Sequence, residues 1–406
     1  MVNPLFIFFA IWALQVLGHA VFSEDFDRFS GDTWWILGAV APSFVAGCVI
    51  SLFFSSGYKK PNRGITAGKL VGGKRAFCLL FLGYVVFGLA PLFSVMLKSG
   101  SFAEARSVIV ASIQNRDSTA VGAYYSSSLL VVFVVYLFSM ASRYSAGFLF
   151  AAFAVALVAA VFSSGRTLLL LLFIAVPVSL YIQKKIRFRV MMLAAFIFVC
   201  AFLGLALLNQ KGDFGGGVYS QISWNLKIYL LNGLACFNHF VVENFPRFDG
   251  SVLFPNLLRK LLGVGGDASP LVLPFVETPL PGNVYTALYP WYHDGGVVGV
   301  VVGFFFIGLL NQYLYNGRRK SASLTFYYSL SAYALIMTIF QDQYIQAYPL
   351  WVMAVFSVIV TSMLSPRVVF ERDRKHDARE QDDTVHHESR VGQQDANTMR
   401  DLSGSS

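Results

Sequence analysis

Asn283-Val-Tyr-Thr-Ala-Leu-Tyr-Pro-Trp-Tyr-His-Asp-Gly-Gly296 runs without a break into the apolar segment Val297 to Leu310. The stretch sets an amide, three tyrosines, a tryptophan, a histidine and an aspartate at the mouth of a membrane helix. Tyr and Trp belong at a water–lipid boundary in any case. The same rings also hold sugars, and the polar groups among them can move protons.

The surrounding composition decides the class. Of 406 residues, 56% are hydrophobic and 13% charged, against roughly 25% charged in a soluble domain. The chain therefore reads as an all-α polytopic membrane protein. Ten segments approach the ~20 apolar residues that a bilayer requires: 3–22, 34–54, 76–97, 123–141, 146–162, 168–182, 190–208, 297–315, 324–340 and 349–364. No Lys or Arg precedes the first and no small-residue cleavage site follows it, so it is expected to stay as a helix. Cys48, Cys78 and Cys200 fall in apolar runs and Cys236 outside them, which gives no disulfide framework.

Charge sets the expected sidedness. With both termini cytoplasmic, the inner loops 55–75, 142–145, 183–189 and 317–323 hold fourteen Lys and Arg and no acid. The outer loops 23–33, 98–122, 163–167, 209–296 and 341–348 hold ten basic residues against thirteen acidic ones. That bias follows the positive-inside rule. It accounts for the net charge of +9 without a nucleic-acid partner.

Residues 209–296 then form one long extracytoplasmic loop, a length that usually carries function. Within it, Leu226 to Val242 reads as an amphipathic or re-entrant helix, because an eleventh span would put Arg318-Arg319-Lys320 outside. Asn225, Tyr229, Asn232, Cys236, His239 and Glu243 share one helical face, expected to line a wet cavity. Prolines 270, 274, 279 and 281 preclude a regular helix over Gly263 to Gly282. The tail 365–406 is charged and poor in large apolar residues, so a disordered cytoplasmic tail is expected. Its His376, His386 and His387 read as solvated.

No phosphate-binding glycine loop, paired-Cys metal motif, His-Glu-x-x-His or Gly-x-Ser-x-Gly is present. The candidates are ionisable groups at the outer ends of membrane helices, which are costly at depth and functional by default. Arg166, in the tight turn Ser163-Ser-Gly-Arg-Thr167, presents a planar fork that suits phosphate oxygens; the alternative is a snorkelling side chain. Arg247, Arg259 and Lys260 can meet substrate phosphate or anionic lipid, and Lys227 is a weaker candidate still. Asp294 is either a helix cap or a catalytic base, and one residue can serve both ends. His293 can accept a proton near neutral pH or be structural. Glu243 and His239 are second-choice acid–base groups, and Asp342 is placed to line the same cavity. Asp25-x-Asp27 has the form of a metal-carboxylate pair, but it lies in a short acidic run that arises easily by chance, and no metal is expected.

At Asn283-Val-Tyr-Thr286, Tyr292-His-Asp-Gly-Gly296 and Gly299 the sequence resembles the O-antigen polymerases of the Wzy type, also called oligosaccharide repeat unit polymerases. Members carry Asn-x-Tyr-Thr, an aromatic spacer, then Asp-aromatic-Gly opening a late membrane helix. They also carry a Gly-Arg or Ser-Arg turn between middle spans, matched here by Gly165-Arg166. Gly295 stands where the aromatic is usual, and His293 is not part of the pattern. The architectural resemblance covers residues 1–364.

The resemblance implies a membrane glycosyltransferase of the bacterial inner membrane that joins undecaprenyl-pyrophosphate-linked repeat units, acting at the periplasmic face. Donor and acceptor would both be carrier-linked glycans, and a chain-length regulator and a flippase are implied partners. No cofactor is expected, since the lipid pyrophosphate is itself the activated donor. Arg166, with Arg247 or Arg259, would stabilise the leaving pyrophosphate, and Asp294 by preference would deprotonate the acceptor hydroxyl. Asn283, Tyr285, Trp291 and Tyr292 would hold sugar. An O-antigen ligase shares this architecture and stays open as an alternative. A lipid-linked sugar flippase would instead predict inverted repeats and ionisable groups near the midplane, and neither is read here.

Overall fold

The computed structural model describes residues 2–55, 74–100, 104–105, 108–109, 111–112, 118–163, 166–208, 217–243, 250–254, 259 and 275–364. Every one of the ten apolar segments is helical. In chain order they are α1 (Pro4–Val21), α2 (Gly31–Ser55), α3 (Lys74–Lys98), α4 (Ser118–Ser139), α5 (Ala146–Phe162), α6 (Arg166–Ile182) and α7 (Phe188–Leu208). After the long loop come α10 (Leu288–Gly317), α11 (Ala322–Ile336) and α12 (Tyr348–Leu364), with a 3-10 turn Met337–Ile339 closing α11. Helices α1 to α4, α10 and α11 are long and apolar enough to cross a bilayer, and the other four are shorter apolar helices. The 17 residues of α5 reach about 26 Å at ~1.5 Å per residue, a little under the ~30 Å hydrocarbon core. The protein is thus an all-α polytopic membrane protein. The expected tail, with its three histidines, lies outside the described residues.

Two apolar clusters hold the helices together. The first surrounds α4, whose residues from Leu130 to Phe138 are buried among α3, α5, α6, α11 and α12. A helix apolar all round has no polar face to give to water and packs at the centre. The second cluster joins α1, α2, α9 (Asn232–Glu243) and α10. Within it, a Cβ on Gly47 would run into the Phe305 carbonyl and one on Gly308 into the Phe44 carbonyl. Helices α2 and α10 therefore touch backbone to backbone, and the Cys48 thiol reaches the Gly308 carbonyl at 3.4 Å. Small residues permit such close approach where no hydrophobic force distinguishes protein from lipid.

In the long loop, α8 (Gly217–Leu226) passes through a π-helical turn, Lys227–Leu231, into α9. A helix does form where the sequence places one. Its polar stripe, however, is largely covered among the described residues. Asn225, Asn232 and Cys236 are buried, Tyr229 and His239 are partly exposed, and Glu243 is exposed. The physical reason is a second layer: β1 (Val276–Thr278) and β2 (Leu280–Gly282) form an antiparallel hairpin against α9. Asn232 accepts from the Thr278 hydroxyl at 3.0 Å and donates to the Leu280 carbonyl at 3.3 Å. The stripe is a seam between helix and hairpin. Pro281, which has no N–H to give, pairs opposite Glu277 in a ladder only two strands wide.

Candidate functional site

The site begins at a break in α10. Gly296 has φ 57 and ψ −152, a region essentially confined to glycine. The front piece of α10, Leu288 to Gly295, consequently leaves the axis of the piece that follows. Trp291 folds back over that second piece, its carbonyl against Gly299 and its indole on Gly303. The chain therefore turns sharply at Gly296.

The front piece is pinned from both sides. The Thr286 hydroxyl caps it, accepting from the Leu288 N–H at 3.3 Å. The Thr286 N–H donates to the Gly233 carbonyl on α9, and the Ala287 N–H to the Thr338 carbonyl at 2.8 Å. Residues from α9, the 283–287 loop and the end of α11 thus converge behind it.

Asp294 does not cap a helix. Its side chain is 2% exposed, and Oδ2 accepts the N–H groups of Val252 at 3.0 Å and Leu253 at 2.5 Å. Oδ1 lies 2.6 Å from His293 Nδ1. An ionised carboxylate only accepts, so Nδ1 is the donor and the neutral ring keeps Nε2 as an acceptor. Nε2 makes no hydrogen bond among the described residues. The ring lies against Phe240 of α9, centroids 5.7 Å apart, and against Tyr289 at 5.6 Å. A carboxylate that fixes one imidazole nitrogen leaves the other oriented to take a proton.

The aromatic residues are turned inward. Tyr285, Tyr289 and Tyr292 are buried around Phe240, with Phe240–Tyr289 centroids 4.8 Å apart. Burial raises the phenol of Tyr285 above its ordinary range, with smaller pushes from Cys236 and Tyr289. These rings form the floor of the site rather than an open stacking platform. Trp291 and Asn283 are half-buried.

The remaining candidates divide. His239 and Glu243 form an i,i+4 pair at 3.1 Å, 27% and 59% exposed, on the turns of α9 that flank Phe240. Arg259 is buried, away from the open loop position its sequence suggested. Asp342 is fully buried, with its carboxylate given to the N–H groups of Tyr344, Ile345 and Gln346. It shapes its own loop. Lys227 is paired with Asp25 at 2.6 Å, so the acidic run of the first loop tethers the π-turn. Among the described residues no group of three or more His, Cys, Asp or Glu is placed to hold a metal. Arg166 opens α6, but its side chain lies outside the described residues, as do Arg247 and Lys260. Two residues on, Leu168 packs in the cluster that contains Tyr333 and Met337 of the α11 end.

Several contributors were not read from the sequence. Asn238 accepts from Ser30 N–H at 2.9 Å and the Thr33 hydroxyl at 2.8 Å, tying α9 to the start of α2. Trp12, Gln15 and His19 of α1 bond the segments behind the front piece. Their only sequence signal is polar groups recurring on one face of an otherwise apolar run.

No family model matches the chain, and no solved structure matches it. The chain is similar to an O-antigen polymerase of Shigella dysenteriae, with 27% identity over 221 residues, 52% of this chain and 54% of the relative. It thus spans about half the length of the curated relative it matches. The similarity bears out the resemblance to O-antigen polymerases seen in the sequence.

Proposed function

We propose that this chain is a membrane glycosyltransferase that polymerises lipid-pyrophosphate-linked oligosaccharide repeat units, with His293 as the general base and Asp294 as its orienting carboxylate. The observation that carries the reading is the buried His293–Asp294 pair, which leaves one ring nitrogen unengaged among the described residues, in a chain similar to an O-antigen polymerase. The pairing favours His293 over Asp294 as base. Both oxygens of Asp294 are already occupied, and a buried carboxylate giving up those bonds would leave two backbone N–H groups unsatisfied.

In this scheme His293 Nε2 takes the proton of an acceptor sugar hydroxyl as its oxygen attacks the anomeric carbon of the donor. The bond from that carbon to the carrier pyrophosphate breaks, and its electron pair stays on the pyrophosphate oxygen. Arg166, with Arg247, meets the charge that develops there. The proton leaves the imidazolium for the released pyrophosphate or water. General-base assistance of this kind contributes on the order of 10²–10⁴-fold. The loop charges support a periplasmic face for 209–296, cytoplasmic termini and an inner-membrane location. A flippase would supply carrier-linked units to that face, and a chain-length regulator would act on the product.

The test is reconstitution in lipid vesicles with a single synthetic carrier-linked repeat. The wild-type chain is expected to yield a ladder of longer carrier-linked products, and His293→Ala to yield none. A wild-type chain that leaves the repeat unextended, or that transfers it only to lipid A-core, refutes the polymerase assignment.

A further inference from the structure

We infer that Gln15, midway along α1, is a positioning residue for the His293–Asp294 pair, acting through the two backbone turns that hold the front piece of α10. Trp12, Gln15 and His19 lie on one helical face. Trp12 Nε1 donates to the Thr338 hydroxyl at 3.1 Å, and His19 Nε2 donates to the Leu231 carbonyl at 2.8 Å. Gln15 alone of the three bridges two segments. Its Nε2 donates to the Ile339 carbonyl at 2.9 Å and to the Leu230 carbonyl at 3.2 Å.

Those two carbonyls belong to the two irregular turns of this region. Leu230 lies in the π-helical turn and Ile339 in the 3-10 turn that ends α11. Departure from α-helical geometry leaves carbonyls there in need of other donors. The turns also flank the anchors of the 283–287 loop. Gly233, just after the π-turn, accepts from Thr286, and Thr338, beside Ile339, accepts from Ala287. Gly233 measures how closely the parts meet. A Cβ there would lie 2.8 Å from the Ile339 carbonyl, 3.6 Å from Thr286 Cγ2 and 3.8 Å from Gln15 Nε2. One side-chain amide thus fixes the spacing between the two backbone acceptors that seat the start of the front piece, and the pair follows six residues later.

A second observation separates this role from simple stability. Gln15 is fully buried, and its Oε1 has no hydrogen-bond partner among the described residues. An orphaned acceptor in an apolar helix is a standing cost that an apolar residue would avoid. The amide is useful here for what its nitrogen holds.

The inference rests on the polymerase reading for its kinetic arm, but not for its structural one. Three variants are compared in nanodiscs: Gln15→Met, which fills the space without donors, Gln15→Asn, which keeps a shorter amide, and Ser126→Ala. The Ser126 hydroxyl bonds only its own helix, at Ala123. Amide hydrogen exchange at Thr286 and Ala287 is expected to quicken about tenfold in Gln15→Met, less in Gln15→Asn and not in Ser126→Ala. With the carrier-linked repeat, kcat is expected to fall at least about tenfold in Gln15→Met with KM within about twofold, as misplacement of a reacting group implies. Unchanged exchange at 286–287 in both Gln15 variants overturns the inference, whatever the activity. So does quickened exchange with full kcat. A wild-type chain with no polymerase activity sinks the proposed function alone, because the exchange arm needs no substrate.

Discussion

Asp294 and Asp342 share a setting, although only Asp294 lies in the motif that carries the resemblance. Each is an acid in a loop at the mouth of a late membrane helix, and each proves to be buried and bonded to backbone N–H groups. They differ in what is left over. Asp342 gives both oxygens to Tyr344, Ile345 and Gln346, so its charge is spent on the shape of one loop. Asp294 gives one oxygen to the turn at Val252-Leu253 and keeps the other for an imidazole. Burial of a carboxylate is therefore not itself a mark of chemistry. The mark is a second titratable group on the remaining oxygen, with a ring nitrogen left unengaged among the described residues.

That contrast is open to breakage, and His293 is the place to strike first. His293→Ala is expected to lower the polymerisation rate per folded molecule about 10³-fold, within the range for loss of a general base, and to lower the melting temperature as well, because it leaves an oxygen of buried Asp294 unpaired. Asp294→Asn comes next, at about 10²-fold in kcat, because its amide NH2 would donate to Nδ1 and select the tautomer that carries its proton on Nε2. If Asp294→Asn is harmless while Asp342→Asn is not, the two loops have been assigned the wrong way round.

A smaller effect is expected at the hinge that carries the pair. Gly296→Ala forces a Cβ into a conformation costing about 1–3 kcal/mol, and a rate loss of about tenfold with a lower melting temperature would register it. Asp342→Asn should cost only about 1 kcal/mol, read by thermal unfolding in detergent, with the rate per folded molecule within about twofold. The sign of its pH dependence sharpens the difference. Burial raises the Asp342 carboxyl above its ordinary value of 3.8, against the pull of its three N–H partners. Folding then favours the protonated form, so the contribution is full below the ordinary value and is lost as pH rises through the raised one. Melting temperature is expected to decline over that interval in the wild type and to stay flatter in Asp342→Asn. Last, Glu243→Gln breaks only an exposed i,i+4 pair, which is worth about 0.3–0.5 kcal/mol, and activity should hold within about twofold.

The bundle was largely legible because lipid imposes a simple rule, and ten apolar runs became ten helices. What escaped were tertiary facts. Gln15 and His19 look like isolated polar residues in a hydrophobic span until the π-turn at 227–231 supplies their acceptors. The hairpin at 276–282 lies in a stretch whose prolines excluded a helix without saying what would replace it. Covered by that hairpin, the stripe on α9 lost the water its periodicity suggested. Asp294 was visible as a candidate, but its partner turn at 252–253 lies about forty residues upstream in sequence, beyond the reach of any local pattern.

The glycine contacts between α2 and α10 carry one last implication. With Phe44 and Phe305 carbonyls at the places where side chains would otherwise stand, these two helices form a stiff plank rather than a pair of sliding rods. Asn238 fastens one corner of the plank at Ser30 and Thr33, and the kinked front piece hangs from the other. A rocking of the plank in the bilayer would carry both corners together, the α9 grip at one and the histidine at the other.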